Sequence, residues 1–180
     1  MPERLKPPAE VIDMLASMPG RIAALTDGAT PEQLVTAPAP GEWSAAGVIA
    51  HLRSCADVWG DAIRVIAAND PEGKRPPTVP FGNAADREAG RLSIRAINPT
   101  TWVLQTDYFD LAFAPSFAAY AAQRADLVAF LGELDADDWP REVIVTGAGP
   151  PLTYTLHNFS QRIAIHERPH LRQIRDAIGA

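Results

Sequence analysis

Apolar residues recur at intervals of three and four in four long stretches of this chain, and the prolines and glycines gather in the gaps between them. A period near 3.6 puts such residues on one stripe of a helix, so the pattern calls for helices packed stripe to stripe. Val11, Ile12, Met14, Leu15, Met18, Ile22 and Leu25 predict a first helix, kinked at Pro19-Gly20. In DGATPEQL, Thr30 caps a short turn, Pro31 takes the first helical position and Gln33 answers the cap. Ser44 then caps a second long helix running to about Ala68. Beyond Pro115, the residues Phe117, Tyr120, Ala121, Arg124, Leu127, Val128 and Leu131 mark a third, and a fourth runs from about Thr153 to Ile178 with Thr153 or Thr155 as cap.

Between the second and third helices lie roughly 45 residues with prolines to Pro80 and no clear period. The fold class expected is therefore all-α: a four-helix bundle whose second and third long helices are joined by a crossover, in a single domain over residues 1–180. An α+β alternative would pair REVIV with part of WVLQTDYF, but two short runs make no independent sheet. With 47% hydrophobic residues, the 180-residue chain is no disordered tail. A single cysteine rules out an internal disulfide and points to a reducing compartment. The opening MPERLKPPAEVIDML lacks the pattern of a secretory signal, so the expectation is a soluble, cytoplasmic protein with no membrane partner. A net charge of −6 argues against nucleic acid as partner, and Arg168, Arg172 and Arg175 suit the C-terminal end of a helix dipole.

The apolar stripe of the last helix, Leu156, Phe159 and Ile163, continues through His166 and His170 to Ile174. Imidazoles four residues apart on a helix stand close enough to converge on one ion. On the second helix His51 lies beside the stripe Val48, Leu52, Cys55, Trp59 and Ile66. Three inward histidines on two helices make a candidate site for a divalent metal, with one coordination position left open. HERPH also fits the H-E-x-x-H pattern, in which Glu167 would be the general base of a metal-assisted hydrolase, although Pro169 inside the pair disfavours the regular helix that pattern assumes. The other reading of Glu167 is a carboxylate that pairs with Arg162 or orients His170. Gln173, three residues after His170, is placed to hold an imidazole. Cys55, on the face of His51, is either a small core residue or a neighbour of the metal. His157 lies about half a turn off the histidine stripe and is not expected to be a ligand.

The segments PAPGEWSAAGVIAHL, FAAYAAQRADLVAFLGELDADDW and GPPLTYTLHNFSQRIAIHERPHLRQI resemble landmarks of the DinB-like superfamily, which includes bacillithiol- and mycothiol-dependent S-transferases. His51 fits the histidine of its W-S-x5-6-H-L segment, and His166 with His170 fits its H-x3-H pair before Q-I. Residues from Gly82 to about Asp107 match no landmark. The resemblance implies a bundle with a long crossover, a divalent metal (zinc, nickel, iron or manganese) on the three histidines, and a homodimer. It also implies that the metal activates a low-molecular-weight thiol for transfer to a small electrophile. The competing expectations are a non-catalytic, stress-associated metal-binding dimer and a hydrolase that uses Glu167.

Overall fold

Four long helices form as the apolar spacing predicts. The computed structural model describes residues 4–179. Helix α1 (Pro8–Thr26) is one helix with Pro19 inside it, as the apolar spacing predicts. Helix α2 (Pro31–Val35) carries the expected capping box, with Thr30 and Gln33 satisfying each other's free backbone N–H groups. Helix α3 (Ala45–Cys55) starts at Ser44, whose side chain accepts from the Gly47 N–H, and passes through a π-helical turn (Ala56–Gly60) into α4 (Asp61–Ala68). Asn69 stops α4 in the left-handed conformation, at φ 48°. Together these pieces are the second long helix of the sequence reading.

The crossover contains the one-turn helices α5 (Ala84–Glu88) and α6 (Pro99–Trp102) and the strand β1 (Ser93–Arg95). Helix α7 (Phe113–Gly132) follows, then strands β2 (Glu142–Thr146) and β3 (Leu152–Thr155), then α8 (Leu156–Ile178). Thr155, not Thr153, caps α8, in a capping box with Asn158. Helix α1 packs on α7 and α8, and α3 packs on the same two, which sets the order around the bundle as α1, α7, α3, α8. Sequence neighbours α1 and α3 therefore face each other across a diagonal, an order made possible by the long link between α4 and α7.

The helical bundle is joined by a small sheet that the all-α expectation lacked. Strand β2, the predicted extended run, pairs antiparallel with β3 and parallel with β1, with Ile94 opposite Val145 and Val143 opposite Tyr154. The proposed partner WVLQTDYF is instead helical, ending α6 and continuing in 3-10 turns at Val103–Gln105 and Tyr108–Asp110. Three short strands persist because one face is buried on the bundle: Ile94 and Val143 belong to the apolar core. Among the described residues no helix is long and apolar enough to cross a membrane.

The core forms two apolar clusters. One gathers the first half of α1, the π-turn, α4, the sheet and the start of α8; the other gathers Met18, Ile22, Val48, Ile49, Leu52, Tyr120 and Ile174. Buried polar side chains from α3, α7 and α8, among them His51, Arg124, Glu167 and His170, complete the interior.

Candidate metal centre

His51 on α3 and His166 on α8 bring their Nε2 atoms to 3.1 Å, and the Nε2 atoms of His166 and His170 are also 3.1 Å apart. Two nitrogens bound at about 2.1 Å to one tetrahedral ion stand about 3.4 Å apart, so His166 stands near that spacing from each of the other two histidines. Pro169 leaves this intact: α8 continues through it, and the ligand pair predicted at a spacing of four still converges.

The protonation states suit the same purpose. Burial, reinforced by the neighbouring imidazoles, pushes His51 down to about 4. His166 falls to about 4 through burial, His170 and Arg162, and burial lowers His170 against the opposing hydrogen bond of Gln173. All three rings are neutral near pH 7, and a neutral ring keeps the lone pair that a metal needs. The His170 Nδ1–H donates to Gln173 Oε1 at 2.5 Å, which turns its Nε2 lone pair toward His166. Gln173 thus stands where the sequence placed it. Trp43 lies 4.9 Å from the His51 ring, and Trp59 meets the His166 ring edge-on at 4.9 Å.

Cys55 is fully buried one helical turn after His51, with Sγ 3.5 Å from His51 Nε2. Its sulfur and the facing nitrogens of His51 and His166 all lie within 4.8 Å of one another. Burial and the nearby Glu167 raise its pKa, so it is a neutral thiol beside the histidines. Soft sulfur and imidazole nitrogen together suit zinc or a related transition ion.

Glu167 departs from both sequence readings. Its Oε1 accepts from the Tyr120 hydroxyl at 2.9 Å and from Arg124, and the Arg124 and Glu167 side chains are 1% and 0% exposed. The partner is Arg124 on α7, not Arg162. A carboxylate held in a buried ion pair between helices is a poor base for a water in an open cavity. The signal for this pair was present in the sequence, where Arg124 interrupts the apolar stripe of α7. His157 is no ligand either: its Nε2–H donates to the Lys6 carbonyl at 2.8 Å, tying α8 to the segment before α1.

A cavity of about 520 Å³ opens from His51 and His166 toward the sheet and the crossover. Val58, Trp59, Val79, Ile94 and Phe159 form apolar walls, while Arg95, Asn158 and Arg162 supply polar ones. The unmatched crossover residues therefore reach the site: β1 and the turn before α6 line the cavity. The π-turn after Cys55 gives α3–α4 an extra residue in its turn, and both Val58 and Trp59 face inward there. Such turns occur often at functional sites. Asp57 in this turn accepts from Tyr108 Oη at 2.8 Å, Gln123 Nε2 at 2.7 Å and Trp102 Nε1 at 3.3 Å, pinning the crossover to α7.

Comparison with curated protein sequences finds no match. Among solved structures the chain is similar to YfiT from Bacillus subtilis, described as a probable metal-dependent hydrolase with an unusual four-helix bundle topology. The TM-score is 0.68 at 17% identity, covering 98% of this chain and 90% of that one, a likeness of fold. A family profile described as the DinB superfamily matches residues 14–174, from within α1 to near the end of α8 and across all three histidines. With the bundle, its crossover and the match over most of its length, the chain belongs to the DinB superfamily.

Proposed function

We propose that this chain is a metal-dependent thiol S-transferase. His51, His166 and His170 would hold one divalent cation, and the cavity beside His51 and His166 would admit the sulfur of a low-molecular-weight thiol. The observation that carries this reading is the pair of imidazoles, His51 and His166, at the wall of a cavity of about 520 Å³, with the Nε2 of His170 3.1 Å behind that of His166. When bound, a divalent cation lowers the pKa of a coordinated thiol and so supplies a thiolate at neutral pH. Gln173 orients His170, Trp43 and Trp59 wall the rings, and the largely apolar cavity offers a seat for the body of the electrophile. Hydrolysis is the competing reading, suggested by the likeness to YfiT, described as a probable metal-dependent hydrolase. Glu167 gives it little support, since that residue is buried, does not line the cavity, and has its Oε1 engaged by Arg124 and Tyr120. A non-catalytic metal-binding homodimer accounts for the histidines and leaves the cavity without a use.

The test is conjugation of 1-chloro-2,4-dinitrobenzene by protein loaded with zinc, nickel or manganese, with bacillithiol, mycothiol, glutathione and cysteine offered in turn. The thiolate sulfur forms the S–C bond, chloride leaves with the electron pair, and the thiol proton passes to buffer. The expected result is a rate above the uncatalysed one with at least one thiol, lost on chelation and in His166→Ala. No such rate with any thiol overturns the proposal.

A further inference from the structure

The chain carries 22 acidic and 16 basic residues, yet among the described residues the large cavity is lined by no aspartate or glutamate. Its only charged wall residues are Arg95, from β1, and Arg162, one turn before His166 on α8. Neither guanidinium is paired with a carboxylate among the described residues. Arg162 is held in place by the face of Trp59, 4.8 Å from the ring centroid. Arg95 runs along β1 against Gly147, where a Cβ would come within 2.9 Å of the arginine Cγ. Gly147 itself has φ 86°, so both its space and its backbone favour glycine there. The remaining surface is largely apolar, with Val58, Ile94, Ile97, Val145 and Phe159 among its walls.

A chain of net charge −6 repels anions overall, so an acid-free cavity with two unpaired arginines is a local reversal of that field. We infer that the cavity selects an organic anion: a molecule with an apolar body seated on the sheet side, and a carboxylate received by Arg162 and Arg95. Arginine suits this because its planar fork meets a carboxylate with two parallel hydrogen bonds. The inference rests on the proposed S-transferase only for the identity of the anion as a reactant; the recognition itself is a property of the cavity and needs neither thiol nor turnover.

The experiment measures binding of 2-naphthoate and of its neutral counterpart 2-naphthamide by titration calorimetry, on metal-loaded protein and again after chelation. The carboxylate is expected to bind about tenfold tighter than the amide in both forms, the size of one charge-assisted contact. Arg162→Gln and Arg95→Gln each reduce that preference, and the double variant abolishes it while still binding the amide, which shows that the cavity remains folded. Arg168→Gln, on the exposed side of α8, leaves the preference intact. Equal affinity for the two probes overturns the inference, as does a preference that survives the double substitution. A preference that vanishes when metal is removed also overturns it, because the carboxylate would then sit on the metal. Failure of the thiol assay with the preference intact rejects the transferase alone.

Discussion

His51 and His166 lie 115 residues apart in the chain, and their Nε2 atoms meet at 3.1 Å. One ring is buried and the other half-buried, and two neutral imidazole nitrogens this close can share one N–H between them or, with a divalent cation present, its coordination. The bundle order makes the meeting possible, since α3 and α8 are neighbours only because the crossover carries the chain around to the other side.

The histidines tie stability to pH. Each of the three has a folded pKa below its ordinary value, to about 4 for His51 and His166. In the window between about 4 and the ordinary histidine value near 6.5, the unfolded chain binds more protons than the folded one, so stability falls as pH is lowered. Metal-free protein is therefore expected to show a melting temperature that is level above pH 7 and declines from pH 6.5 to pH 4. Thermal denaturation across that range checks it, and His51→Phe should flatten part of the slope.

The Arg124–Glu167 pair is expected to hold helices α7 and α8 together. Glu167→Ala leaves an arginine buried without its counter-ion, which costs about 3–5 kcal/mol of stability. Replacing both with apolar residues, Arg124→Met with Glu167→Leu, should recover most of the loss. Urea unfolding of the wild-type protein and the two variants measures this. A Glu167→Ala protein as stable as wild type, lacking only activity, would return Glu167 to the role of base.

Gln173 acts on the metal through His170. Gln173→Ala should weaken metal binding by about 10–100-fold while leaving the fold unchanged, the usual cost of removing the partner that orients a ligating imidazole. Competition with a chromophoric chelator reads the affinity, and circular dichroism reads the fold.

Asp57 receives three side-chain donors from the crossover and α7. Asp57→Ala strands those donors and should cost about 1–3 kcal/mol, with the loss concentrated in the crossover. Limited proteolysis is expected to cut the variant between α4 and α7 sooner than the wild-type protein.

The four helices were legible because each buries a continuous stripe, and the caps at Thr30 and Ser44 are local chemistry that tertiary contacts did not override. The histidines were legible for the same reason: a polar residue on a core stripe stands out. The sheet was not, because β1 is three residues long and owes its pairing to Ile144 and its neighbours some fifty positions away. Arg95 and Arg162 were hidden similarly, since only the folded crossover brings them into one cavity. H-E-x-x-H is a pattern along one helix and could not show that the partners of Glu167 Oε1, Tyr120 and Arg124, stand on another. Cys55 was visible as a neighbour of His51, and the distance of 3.5 Å could come only from the structure.

The central claim is that three histidines hold one divalent cation. Metal content by mass spectrometry, for wild type and for His51→Ala, His166→Ala and His170→Ala after reconstitution with zinc, nickel, iron and manganese, tests it most directly. The account predicts one ion per chain in the wild-type protein with at least one of these metals, and its loss in every histidine variant, while Cys55→Ala retains it. Wild-type protein that holds none of the four metals, or histidine variants that hold as much as wild type, would contradict it.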